Sequence, residues 1–139
     1  MKELGPYLNF NGNCREAMNF YKACLGGTLT LMTFEDSKQD VPAGMKDQIM
    51  HSTLRFTEHL SIMGSDSMPD YRVENGTSIT ISINCESEEL VDTYYKALAQ
   101  GGKETMPLSD TFWGARFGML TDKFGIQWMV SFDRNPPQA

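Results

Sequence analysis

The stretch Phe20-Tyr21-Lys22-Ala23-Cys24-Leu25-Gly26-Gly27 returns later in the chain as Tyr94-Tyr95-Lys96-Ala97-Leu98-Ala99-Gln100-Gly101-Gly102, with one residue inserted before the glycine pair. Ala17, Phe20, Tyr21 and Cys24 match Val91, Tyr94, Tyr95 and Leu98. Steps of three, one and three place each set on one face of a 3.6-period helix. The glycines follow where a chain leaves a helix through a left-handed conformation, which glycine adopts without a Cβ penalty. The simplest reading is a duplication, with each copy built around one amphipathic helix.

The sequences flanking each helix support this. Tyr7-Leu8-Asn9-Phe10-Asn11 alternates as a strand with Leu8 and Phe10 inward. Asn13 with Glu16 forms a capping box for a helix over about Cys14 to Leu25. Thr28 to Phe34 reads as a second strand. The polar run from Glu35 to Asp47 is a loop of the length used for pocket lids. Ile49 to Phe56 and Leu60 to Met63 form a hairpin with Met50, Leu54 and Phe56 on one face and His51, Thr53 and Arg55 on the other.

After a linker with Pro69 and Asn75-Gly76, the order repeats. Ser78 to Asn84 alternates with three isoleucines inward, and Ser87 caps a helix ending near Gln100. Lys103 to Met106 is a short strand, and Pro107 to Phe112 a loop. Trp113 to Leu120 and Ile126 to Phe132 form the second hairpin around Asp122-Lys123-Phe124-Gly125. The tail Asn135-Pro136-Pro137 carries no ordering signal. The predicted fold class is α+β, with tandem βαβββ modules at about 4–64 and 77–133, a linker at 65–76, and a single domain over 1–139.

Length and charge narrow the function. Two modules of about seventy residues are each marginal alone, so a 139-residue chain is expected to pack them on each other. Twelve basic against eighteen acidic residues give a net charge of −6, which opposes phosphate neutralisation and argues against nucleic acid. The start has no apolar signal core and no run long enough to span a bilayer, so a cytoplasmic protein with no membrane partner is expected.

Cys14, Cys24 and Cys85 cannot all pair. On one helix Cys14 and Cys24 lie about 15 Å apart, so reduced thiols are expected. The helix dipole would lower the pKa of Cys14, and of Cys85 in the second module, while Cys24 belongs to the core stripe. The ten methionines suit irregular cores or adaptable pockets.

Each sheet must cover its helix with one face, which leaves the other free. Two such faces brought together would enclose a cavity. By alternation Asn9, His51, Thr53, Arg55, Met63, Ser78, Ser82, Arg116, Gln127 and Met129 face it. Leu54-Arg55-Phe56 answers Ala115-Arg116-Phe117, and paired arginines would favour an anionic ligand, a carboxylate or a phosphate. Trp113 and Phe112 are placed to stack on a ligand, whereas Trp128, in phase with Val130 and Phe132, belongs to the core. His51 can act as an acid or base near neutral pH; His59, in a turn, reads as solvated. The candidate ligand-binding set is Asn9, His51, Arg55, Trp113, Arg116 and Gln127.

Two βαβββ modules, Phe20-Tyr21 in the first helix, and Asp122-Lys123-Phe124-Gly125-Ile126-Gln127-Trp128 together resemble the vicinal oxygen chelate superfamily. That group includes glyoxalase I, bleomycin and fosfomycin resistance proteins and extradiol dioxygenases. Pro6-Tyr7-Leu8-Asn9-Phe10-Asn11-Gly12 and Trp113-Gly114-Ala115-Arg116-Phe117-Gly118 are similar to its PhnB-like branch, with Lys123 where that branch usually has proline. The resemblance covers about residues 4–132.

It implies a homodimer, including the module-exchanged form, and places the superfamily's metal ligands at Gly5 or Pro6, Ser78, Met63 and Met129. Those residue types cannot hold a hard divalent ion, so no metal and no cofactor are expected. Some such sequences carry a ubiquinone-pathway methyltransferase label, yet no glycine-rich loop follows the first strand to hold S-adenosylmethionine. The leading expectation is a metal-free binder of a small molecule. The alternatives are a metal-dependent or His51-assisted enzyme of glyoxalase, dioxygenase or resistance-transferase type, and a purely structural module.

Overall fold

A computed structural model describes residues 1–135, so Pro136 and Pro137 of the expected unordered tail lie outside the described residues. Among the described residues ten elements run in chain order. They are β1 (Tyr7–Phe10), α1 (Cys14–Leu25), β2 (Thr28–Thr33), β3 (Ile49–Arg55), β4 (Ser61–Asp66), β5 (Ile81–Asn84), α2 (Glu88–Leu98), β6 (Lys103–Asp110), β7 (Ala115–Thr121) and β8 (Gln127–Asp133). The strands form two four-stranded sheets, ordered β1-β4-β3-β2 and β5-β8-β7-β6. In each, the first and last strands of the module pair in parallel and the remaining neighbours are antiparallel. One topology therefore occurs twice, as the repeated helix stretch predicts. One compact unit comprises Met1–Glu74, and a second begins at Asn75.

The helix stripes do what their spacing requires. Ala17, Tyr21 and Cys24 are buried in the first unit, and Val91, Tyr95 and Leu98 at the matching places in the second. Burying each large side chain contributes about 1.5–3 kcal/mol, which no isolated helix of this length could supply. Both helices leave through a glycine at positive φ, Gly26 (80°) and Gly101 (73°). The glycine after it packs on backbone: a Cβ on Gly27 would lie 2.9 Å from the Arg55 carbonyl oxygen, and one on Gly102 2.3 Å from that of Thr121. The repeated glycine pair thus serves both helix exit and close approach to the hairpin.

Several local expectations are corrected. Asn13 makes no side-chain cap. The buried carboxylate of Asp66, at the end of β4, does this work instead. Its Oδ1 accepts from Gly12 N–H (2.9 Å) and Cys14 N–H (3.0 Å), and its Oδ2 from Ile49 N–H (2.9 Å). Ser87 does cap α2, accepting from Leu90 N–H at 3.3 Å, although α2 ends at Leu98 rather than near Gln100.

In β3 a register shift opposite Met32 and Thr33 changes the alternation. Ile49 is fully buried with Ser52 and Leu54, and Met50 is only partly covered. A bulge inserts one residue and inverts the parity beyond it. The strand β5 starts at Ile81, so Ser78 precedes it, and Ile79 is exposed rather than inward. The strand β6 extends through the expected loop to Asp110, with register shifts on either side of Met106. Pro107 falls in the second of these, where a proline costs no ladder hydrogen bond.

Candidate functional site

In the first unit, the helix lies against the face bearing Leu8, Ser52, Leu54 and Gly64. A Cβ on Gly64 would sit 3.4 Å from Met18 Sδ of α1, and Cys14 Sγ lies 3.6 Å from Ser52 Oγ. The helix-free face is fixed by register. Tyr7 pairs with Met63, Met63 with Thr53, and Thr53 with Thr30; Asn9 pairs with Ser65, His51 with Met32, and Arg55 with Ser61. Asn9, His51, Thr53, Arg55 and Met63 therefore occupy the face the alternation predicts.

His51 is held by two hydroxyls. Its Nδ1 lies 3.3 Å from Tyr7 Oη and its Nε2 3.2 Å from Thr53 Oγ1, with the Tyr7 and His51 ring centroids 5.8 Å apart. An imidazole so engaged can relay a proton between the two hydroxyls but offers no free nitrogen to a substrate. Tyr7 was absent from the sequence-derived set, although its parity with Asn9 was sufficient to place it there. Arg55 donates to the Glu58 carbonyl oxygen at 3.1 Å and lies 3.8 Å from Glu3. His59, in the turn, is exposed beside Glu58, as its solvated reading requires.

The second unit divides its faces differently from the expectation. A Cβ on Gly118 would lie 2.7 Å from the Tyr95 ring of α2, which assigns Gly118, Leu120 and Arg116 to the helix face. Arg116 donates to Asp92 of α2 at 3.1 Å and lies 3.7 Å from Asp110. It is thus a tie between sheet and helix, and the expectation that it faces the free side is corrected. The matching of Arg55 with Arg116 fails with it. Leu8 beside Gly64 answers Ile83 beside Val130, a frame that aligns Met63 with Met129 and Arg55 with Thr121. Trp128 and Val130 are fully buried on the helix face, as expected.

The helix-free face of this unit carries Gln127, Met129, Ser131, Phe117 and Met119. Ser82, Met129, Met119 and Met106 form a row across four strands. Gln127 donates its amide to the Ile79 carbonyl oxygen at 2.8 Å. Trp113 stands edge-on to Phe117 (centroids 6.1 Å) and to the fully exposed Phe112 (5.0 Å). Ser82 and Met129 stand where the alternation placed them, whereas Met106, Met119 and Phe117 were missed because β7 carries apolar residues on both faces, and the Gly118–Tyr95 and Arg116–Asp92 contacts assign them.

A second buried carboxylate, Asp122, holds the turn before β8. It accepts from Phe124 N–H, Ile126 N–H and the Trp128 indole N–H at 2.8 to 3.1 Å. The thiols run opposite to the dipole argument. Burial pushes Cys14 up to about 12 and Cys85 up to about 11, so neither is a nucleophile at neutral pH. The places assigned to metal ligands now have neighbours. Met63 sits beside Tyr7 and Met129 beside Ser82, a set of thioethers and hydroxyls that does not fit a hard divalent ion. Among the described residues no group of three or more His, Cys, Asp or Glu side chains is placed to hold a metal.

A sequence profile described as 3-demethylubiquinone-9 3-methyltransferase matches residues 2–131. The chain belongs to this PhnB-like family. Individual proteins are similar as well. The chain is 32% identical to Protein YjdN of Escherichia coli (strain K12), over 96% of this chain and 97% of the relative. It is 45% identical to PA1353 from Pseudomonas aeruginosa, with a TM-score of 0.86 and coverage of 96% and 98%. A PhnB protein from Bacillus cereus aligns at 26% identity and a TM-score of 0.74, covering 93% and 98%. A glyoxalase/bleomycin resistance protein/dioxygenase family enzyme from Burkholderia phytofirmans PsJN shares the fold alone, at 16% identity and a TM-score of 0.60, covering 91% and 95%.

Proposed function

We propose that this PhnB-like chain is a cytoplasmic protein that binds a small molecule on the helix-free faces of its sheets, without a resident metal ion, and acts as a homodimer. The observation that carries the reading is the composition of those faces. One offers hydroxyls and an amide through Tyr7, Thr53 and Asn9, with both hydroxyls held by His51. The other offers thioethers and aromatic rings through Met119, Met129, Phe117 and Trp113, with Gln127 at its edge. Such surfaces bury apolar ligand area and fix orientation through a few polar groups. Arg55 supplies the positive charge for an anionic group, whereas Arg116 is spent on Asp92 and Asp110. The net charge of −6 supports a reading without nucleic acid. No helix among the described residues is long and apolar enough to cross a membrane.

Methyl transfer is not the activity these faces support. The helix start after β1, where an anionic cofactor group would meet free N–H groups, is closed by the carboxylate of Asp66. A second reading, an acid–base enzyme, is favoured by the Tyr7–His51–Thr53 chain, in which Tyr7 would meet substrate and His51 would take its proton. A metabolite screen by nuclear magnetic resonance tests the binding proposal. Hits are expected to shift resonances of His51, Thr53, Phe117 and Met119. A screen whose hits leave all four unmoved overturns it. Turnover of a bound hit that disappears in Tyr7→Phe and His51→Ala would establish the second reading; binding without turnover leaves the first.

A further inference from the structure

Four of the five arginines each have at least one partner within the protein. Arg15 donates to the Asp47 carbonyl oxygen, and Arg55 is held by the Glu58 carbonyl and Glu3. Arg116 pairs with Asp92 and Asp110, and Arg134 with Glu88 and Asp110. Arg72 alone has no partner among the described residues. It lines a cleft of about 260 Å³ in the first unit, whose lining includes none of the residues assigned to the helix-free face.

The cleft lies between the loop leading into β3 and the segment following β4, and both walls are pinned. Asn11 accepts from Val73 N–H at 2.8 Å and donates to the Val73 carbonyl oxygen at 2.9 Å. Ser67 N–H donates to Phe10 O, Tyr71 N–H to Met68 O, and Gln48 N–H to Met45 O. The nearby carboxylate of Asp66 is already satisfied by three backbone N–H groups. The Gln48 amide and Ser67 hydroxyl line the cleft without protein partners among the described residues, and Met45 and Met68 form its apolar wall.

We infer that this cleft is a binding site for a small amphipathic monocarboxylate, its carboxylate on Arg72 with Gln48 and Ser67 and its hydrocarbon part against Met45 and Met68. A planar guanidinium matches a carboxylate with two parallel N–H bonds. A single cation, close in sequence to Asp70 and Glu74 in a chain of net charge −6, suits one negative charge rather than the two of a phosphate. The inference is independent of the ligand proposed for the sheet faces.

Sodium hexanoate, titrated into the full chain labelled with nitrogen-15 at constant ionic strength, is the test. Saturable shifts are expected at the amides of Gln48, Ser67 and Arg72, with the resonances of His51 and Phe117 unmoved. Arg72→Ala, an exposed position whose loss leaves the fold intact, should weaken hexanoate about tenfold or more, while neutral hexanamide should bind weakly and alike to both proteins. Absence of saturable shifts at the cleft overturns the inference. So does unchanged affinity in Arg72→Ala, or inorganic phosphate binding more tightly than hexanoate.

Discussion

Removing the Asp66 carboxylate should be among the most damaging single changes in the first unit. Its two oxygens accept three backbone N–H groups, from Gly12, Cys14 and Ile49, at 2.9 to 3.0 Å, and Asp66 is 4% exposed. These donors belong to the turn after β1, the first residue of α1 and the first residue of β3, so one side chain fixes three element starts. A buried donor left unpaired costs about 1–3 kcal/mol. With two of the three donors buried, Asp66→Ala is expected to cost about 2–6 kcal/mol. That is a large share of the roughly 5–15 kcal/mol that holds a domain folded. Asp66→Asn keeps the volume but puts a donor where an acceptor stood, and should cost about half as much. The assay is urea unfolding followed by far-ultraviolet circular dichroism, with Asn13→Ala as the comparison. Asn13 makes no cap bond, so its loss should cost less than about 0.5 kcal/mol, against about 1 kcal/mol for a working cap. An Asp66→Ala penalty below about 1 kcal/mol, or an Asn13→Ala penalty equal to it, would mean that Asp66 does not hold these three element starts.

Gly118→Ala should destabilise by about 1–3 kcal/mol through overpacking, because the new Cβ would lie 2.7 Å from the Tyr95 ring and 3.0 Å from Leu108; thermal unfolding measures it. Asp122→Ala should cost about 2–4 kcal/mol by leaving the Trp128 indole N–H and two backbone N–H groups unpaired, and should shift tryptophan emission as well as the urea midpoint. Burial holds the Cys14 proton up to about 12, against an ordinary thiol value of 9.0. The folded state therefore binds that proton more tightly than the unfolded chain does, so its contribution to stability is complete below pH 9 and is lost as pH rises from 9 towards 12. Iodoacetamide at pH 8 should accordingly leave Cys14 unmodified until urea unfolds the protein, as peptide mass spectrometry would report. Sedimentation equilibrium should give twice the 15.7 kDa chain mass if the proposed homodimer forms.

What could be read from the sequence was whatever depends on local period. The two helices, their buried stripes and their glycine exits follow from spacing alone, because Tyr21 and Tyr95 bury the same helical face. Strand alternation served as far as it stayed unbroken. It placed His51, Thr53 and Arg55 together, since β3 is regular from His51 onward. It misplaced Met50, beyond the register shift, and it misassigned Arg116, in a strand where both faces carry apolar residues. Ile79 reads as a core residue by pattern and is exposed because β5 begins only at Ile81.

Long-range polar contacts were not legible at all. Asp66 looks like an ordinary residue after a strand, and nothing within a few positions of it indicates that it caps a helix beginning 52 residues earlier. Arg72, without a partner among the described residues, was equally hidden, because a solitary arginine between Tyr71 and Val73 carries no signal until the partners of the other four are known. A cap chosen from afar and a cation without a partner are properties of the assembled fold.

The central claim is that the helix-free faces bind a small molecule without a hard metal ion. Elemental analysis of protein purified without chelator tests this most directly. Well under one equivalent of any divalent metal per chain is expected; one tightly held divalent ion per chain, lost together with ligand binding on chelation, would overturn metal-free binding.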